Sequence, residues 1–83
     1  MVEMKTRNET KKNISGTMIK ELRTELGITQ AQLGARMELQ GIFWDQKTVS
    51  SVELQHRALY DYELKALAVA LDTSVSELIK RED

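Results

Sequence analysis

Gln46, Lys47, Ser50 and Ser51 fall on the outward side of one predicted helix, because Val49 and Val52 beside them must turn toward a core. Their amide, ammonium and hydroxyl groups are hydrogen-bonding groups, and a merely solvated face would carry more Glu and Lys. A glutamine amide bonds bidentately to the N6 and N7 edge of adenine, and a lysine ammonium reaches O6 and N7 of guanine. The pattern therefore suits the reading of base edges. Bond-breaking chemistry has no comparable set of residues. The chain contains one histidine, His56, and no cysteine, which leaves no thiolate ligands and too few donors for a zinc site. No nucleophile has a local histidine partner, and no glycine pattern forms a phosphate loop. Glu21 and Glu25 share a helix face, as many solvated pairs do. The expectation is a protein with no enzymatic activity, no catalytic residue, no cofactor and no metal.

A helix that displays such residues needs a scaffold, and 83 residues supply one domain. With 41% apolar and 30% charged residues the chain has the balance of a compact soluble domain. A chain of this length buries only about 60% of its unfolded surface, too little to add a second domain around a deep cavity. No small-molecule ligand is expected. The longest apolar run, Ala66 to Leu71, is far below the roughly 18 residues of a membrane span, and the amino end lacks a signal-peptide stretch. These features imply a cytoplasmic protein with no membrane contact.

The periodicity predicts five helices and no strand, an all-α fold. Residues 1–14 lack a sustained period and are rich in Lys, Arg, Thr and Asn, so they read as a flexible basic arm. From Thr17, Met18, Leu22 and Leu26 recur every four residues, Ile19 widens the stripe, and Gly27 follows as a left-handed stop. Thr29 and Gln32 form a capping box for a second helix that can run to Gly41, with Leu33 and Met37 inward. Gly34 within it suggests a close approach by another helix. Asp45 is the predicted N-cap of a third helix over Gln46 to Leu54, with Trp44 and Val49 as its hydrophobic staple. Trp44 should be buried and its neighbour Phe43 exposed. Leu64, Leu67, Ala68 and Leu71 mark a fourth helix with Asp61 as the expected cap. Ser74 and Glu77 cap a short fifth helix before the charged tail over 81–83. The folded domain is expected over 15–80.

Two helices on a tight connection, the second capped and polar on its outer side, is the arrangement that admits a helix to the DNA major groove. In its order of blocks, LRTELGITQAQLGARM, then QKTVSSVE, then LKALAVALDTSVSELI, the stretch Gly16 to Ile79 resembles a Cro and lambda-repressor type helix-turn-helix domain of the XRE family. The turn ELQGIFWD is longer than the common one and resembles a subgroup with a lengthened connection. The resemblance implies a compact five-helix, lambda-repressor-like fold and a sequence-specific transcriptional regulator of the repressor type. It implies that Gln46, Lys47 and Ser51, with Ser50 beside them, face bases, and that Gln30, with Thr29, meets a phosphate. It implies an ion pair between Arg23 and Glu53. The family commonly has Asn-Gly after that glutamate; this chain has Leu54 and Gln55.

The formal net charge is only -1, but residues 1–25 carry six Lys or Arg against four acids, and residues 59–83 carry three against six. The acidic end should face away from nucleic acid. Lys11, Lys12, His56 and Arg57 are the further residues expected on the DNA backbone. The expected partner is a double-stranded operator bound by a homodimer, since such domains usually read two half-sites roughly 34 to 36 Å apart. Val75, Leu78 and Ile79 of the fifth helix are the expected pairing surface. The alternative is a protein-interaction module on the same fold, docking another regulator through Phe43, Trp44, Leu54 and Leu59.

Overall fold

The computed structural model describes residues 11–80; residues 1–10 of the arm expected over 1–14, and the tail over 81–83, lie outside the described residues. Five α-helices follow in order: α1 Gly16–Glu25, α2 Gln30–Glu38, α3 Gln46–Glu53, α4 Asp61–Ala70 and α5 Val75–Leu78. No strand occurs among the described residues, and no helix there is long and apolar enough to cross a membrane. The predicted number, order and type of elements therefore hold.

Local chemistry sets where helices start. The Thr29 hydroxyl accepts from the Gln32 N–H at 3.0 Å while the Gln32 amide oxygen accepts from the Thr29 N–H at 2.7 Å, the reciprocal box at the head of α2. Asp45 caps α3 by accepting from the Thr48 N–H at 2.8 Å, and Ser74 caps α5 by accepting from the Glu77 N–H at 3.1 Å. At α4 the cap falls on Tyr60 and Asp61 is the first helical residue, one position earlier than expected. The Glu63 carboxylate reaches back to the Tyr60 N–H at 3.0 Å, which closes the turn without a short polar cap side chain.

The first four helices end in the same way. Gly27, Gly41, Gln55 and Asp72 stand at φ +72°, +84°, +66° and +57°. After each, an N–H reaches back five residues: Ile28 to Arg23, Ile42 to Met37, His56 to Ser51 and Thr73 to Ala68. These bonds satisfy carbonyls that a helix end leaves open. Gln55 thus takes the left-handed conformation that the family usually gives to glycine. The same geometry stops α2 at Glu38, with Leu39 to Gly41 in a turn rather than in the expected helical extension.

Ile19, Leu33, Met37, Val49, Val52, Leu67 and Leu78 are fully enclosed, and Trp44, Ala66, Ala68, Ala70 and Leu71 complete the core. Trp44 is 7% exposed and Phe43 78%, the predicted division of the two rings. Leu26, predicted inward, is exposed because it is the cap beyond the last turn of α1. Leu78 is spent on the core of its own chain, so the pairing surface expected of α5 is reduced to its neighbours. The expected apolar docking surface shrinks likewise, since Trp44 is buried and Leu59 packs against the core. Gly34 does mark a close approach, although its neighbour is the α2–α3 turn rather than a helix: a Cβ there would collide with the Trp44 carbonyl. Gly16 is pressed equally hard, since a Cβ would lie 2.5 Å from the Val52 oxygen and 2.7 Å from that of Glu53.

Candidate nucleic-acid interface

α3 carries the predicted reading residues, and its two faces are separated by the valines. Val49 and Val52 are fully buried, Gln46 and Lys47 are exposed, and Ser50 and Ser51 are half-buried on the outer side. Gln30, Asp45, Gln46, Lys47 and Ser50 line one shallow, open depression. The structure thus brings Gln30, the first residue of α2, together with the amino end of α3, although 16 positions separate Gln30 from Gln46. Thr29 is exposed beside it, with its hydroxyl engaged in the cap.

Behind this surface lies a three-helix polar junction. Arg23 of α1 grips Glu53 of α3 through Nε at 2.6 Å and a second guanidinium nitrogen at 3.1 Å. Its remaining nitrogen donates to the Ile28 carbonyl at 2.9 Å, and Gln30 of α2 donates to the same Glu53 carboxylate at 3.0 Å. The Glu53 side chain is 2% exposed and that of Arg23 12%. The hydrogen bond to Glu53 raises the Arg23 pKa above its ordinary value despite the opposing effect of burial. The predicted ion pair is therefore present, and it also orients Gln30.

The carboxyl end of α3 is fastened to the segment before α1. Asn13 donates to the Val52 carbonyl at 3.1 Å and to that of Arg57 at 2.8 Å, while its oxygen accepts from the N–H groups of Ser15 and Gly16. Gln55 returns an amide bond to the Asn13 carbonyl at 3.1 Å, and the Lys12 N–H donates to the Gln55 oxygen at 2.9 Å. Lys12 to Ile14, read as part of the flexible arm, are held here against the end of α3. Lys11, Lys12 and His56 are exposed around this junction. Nothing in residue spacing marked Asn13 as its centre, because its partners lie about 40 positions away.

Arg57, expected on the DNA backbone, is engaged within the chain. Two of its guanidinium nitrogens bond the Glu63 oxygens at 3.0 Å each, and the group lies 5.2 Å from the Trp44 ring centroid. One of them also bonds the Ala58 carbonyl. Burial pushes the Glu63 carboxyl up, but the guanidinium and the Tyr60 N–H outweigh it and hold Glu63 below the usual range. Arg57 is thus engaged inside the chain, where it joins the α3–α4 link to the core.

The "Helix-turn-helix" family model matches residues 19–78, from the buried stripe of α1 to the buried leucine of α5. The chain belongs to the helix-turn-helix family. Among solved structures, the restriction-modification controller protein C.AhdI from Aeromonas hydrophila matches with 32% identity and a TM-score of 0.67, over 76% of this chain and 84% of that one. No curated protein shows a significant match. As a helix-turn-helix protein of the XRE type, the chain is a DNA-binding transcription regulator, with α2 and α3 as the helix pair.

Proposed function

We propose that the protein is a sequence-specific regulator of the repressor type, which places α3 in the major groove of an operator. The observation that carries this reading is the shared depression of Gln30, Asp45, Gln46, Lys47 and Ser50, open to solvent and backed by the Arg23–Glu53–Gln30 junction. Gln46, Lys47, Ser50 and Ser51 take base edges. Gln30 and Thr29 at the head of α2, and Lys11, Lys12 and His56 at the far end of α3, take the backbone. Arg57 is left out of this set because its guanidinium serves Glu63.

The protein acts as a homodimer on two half-sites, because one module of net charge -1 neutralises few phosphates and binding to duplex DNA grows with that number. Val69 of α4 and Ile79 just after α5, 69% and 42% exposed, supply apolar surface for pairing now that Leu78 lies in the core. A controlling role in a restriction-modification system, the role named for C.AhdI, fits a DNA-binding regulator of this fold. The domain spans 15–80, with the residues before it as a basic arm and those after it as a charged tail.

Selection from a random duplex library at two salt concentrations tests the reading. A recovered motif with repeated half-sites is expected; a sequence-blind result would remove it. On the selected operator, Gln46→Ala should weaken binding by about 1 to 3 kcal/mol and relax one position. Lys12→Ala should weaken operator and scrambled duplex alike and lower the salt slope by about one unit.

A further inference from the structure

Asp45 is the acid of the depression, and capping alone does not account for its charge. Asn and Ser also cap helices well, so the cap by itself does not require a charge, although the positive end of the helix favours one. An anion at the edge of a DNA-facing surface repels phosphate and lowers sequence-independent affinity. It becomes favourable only where it meets a donor. The side chain is exposed and Oδ1 accepts from the Thr48 N–H at 2.8 Å. That bond, the Thr48 side chain and the nearby Lys47 charge hold the carboxyl below the usual aspartate range, so it is ionised at neutral pH. An ionised carboxylate has about four acceptor positions, so the cap leaves capacity for another donor.

We propose that Asp45 is a specificity residue which accepts a hydrogen bond from the exocyclic amine of a cytosine where the amino end of α3 meets the duplex. Two base-edge amines face the major groove, N4 of cytosine and N6 of adenine. Adenine places the N7 lone pair beside its amine, where the second carboxylate oxygen would meet repulsion. Cytosine has a C–H at the corresponding place, and the carboxylate matches it without that cost. Lys47, two residues on and in the same depression, supplies a cation that suits the guanine acceptors of such a G·C-containing site.

The inference rests on α3 being the reading helix, and the test separates the two. Operators are selected with the unmodified protein, with Asp45→Ser and with Asp45→Asn; both replacements keep a cap, so thermal melting should stay close to that of the unmodified protein. The unmodified protein should recover a cytosine in each half-site, and changing that base should cost it about tenfold or more in affinity. Asp45→Ser should lose that requirement and bind scrambled duplex more tightly, with Asp45→Asn also losing the cytosine. Identical motifs from all three proteins, with affinity rising evenly on every duplex, would reduce Asp45 to a cap and overturn the proposal while leaving α3 as the reader. An adenine at the position lost in Asp45→Ser would overturn the base assignment. No motif from the unmodified protein would overturn both readings.

Discussion

At its amino end α3 shows Gln46 and Lys47 to solvent and spends one side chain, Asp45, on its own cap; at its carboxyl end Glu53 is bound by Arg23 and Gln30, Gln55 by Asn13 and Lys12, and Gly16 presses on the last carbonyls. The difference teaches how eight residues can be both rigid and available. A recognition surface must leave polar groups unpaired with the rest of the protein, and such groups contribute little to holding a helix in place. The opposite end and the buried valines must therefore do the positioning.

The largest expected effect comes from the fixed end. Glu53→Ala strands the Arg23 guanidinium in a nearly closed site and should cost about 3 to 5 kcal/mol in denaturant unfolding. Replacing Arg23 and Glu53 together by leucine should cost much less, since no uncompensated charge remains. If the double replacement were as damaging as the single one, the contacts of Gln30 and Ile28 would matter more than the pair.

Gly34→Ala probes the open end through the turn that leads into it. In an exposed helix this change gains about 1 kcal/mol, but here the added carbon meets the Trp44 carbonyl and overpacking costs about 1 to 3 kcal/mol. A fall in melting temperature is expected, with loss of DNA affinity if the turn shifts Asp45 and Gln46.

Acid titration tests the second buried pair. Glu63 has its carboxyl pKa lowered in the folded state, so its contribution is complete above the ordinary glutamate range and disappears as pH falls through the lowered folded value. Unfolding measured from neutral pH downward should show this loss, and Glu63→Gln should flatten that part of the curve. Arg57 has its pKa raised above a value that is already high, so it contributes no pH dependence near neutrality.

Smaller effects distinguish the two left-handed helix ends that lack glycine. Asp72→Gly should stabilise by up to about 1 kcal/mol by relieving the left-handed conformation. Gln55→Gly gains the same relief but loses the amide bond to Asn13, so its net effect on unfolding should be smaller. Gln46→Ala should change stability least, within about 0.5 kcal/mol, while still weakening operator binding. A large stability loss there would mean that the amino end of α3 also carries structural load.

Much of this fold could be read from the chain because its signals are local. A cap lies three residues from the N–H it serves, an apolar stripe repeats every three or four positions, and the pair Trp44 and Phe43 divides because neighbours on an extended turn point apart. The Arg23–Glu53 pair was legible through resemblance and through its placement beside Leu22 and Val52. By contrast, the expected cap at Asp61 moved to Tyr60 because the Glu63 carboxylate satisfies that N–H.

What the sequence by itself determined was the number and order of helices, the inward residues of most of them, and the polar side of α3, since each follows from spacing within a few turns. Only the tertiary structure decided that Asn13 holds the end of α3, that Arg57 serves Glu63 and Trp44, that Gly34 admits a carbonyl, and that Asp45 joins Gln30 in one depression. The physical reason is the same in each case. Hydrogen bonds and close contacts between distant segments depend on how rigid helices settle against one another, and no local period encodes the direction in which a side chain will then find its partner.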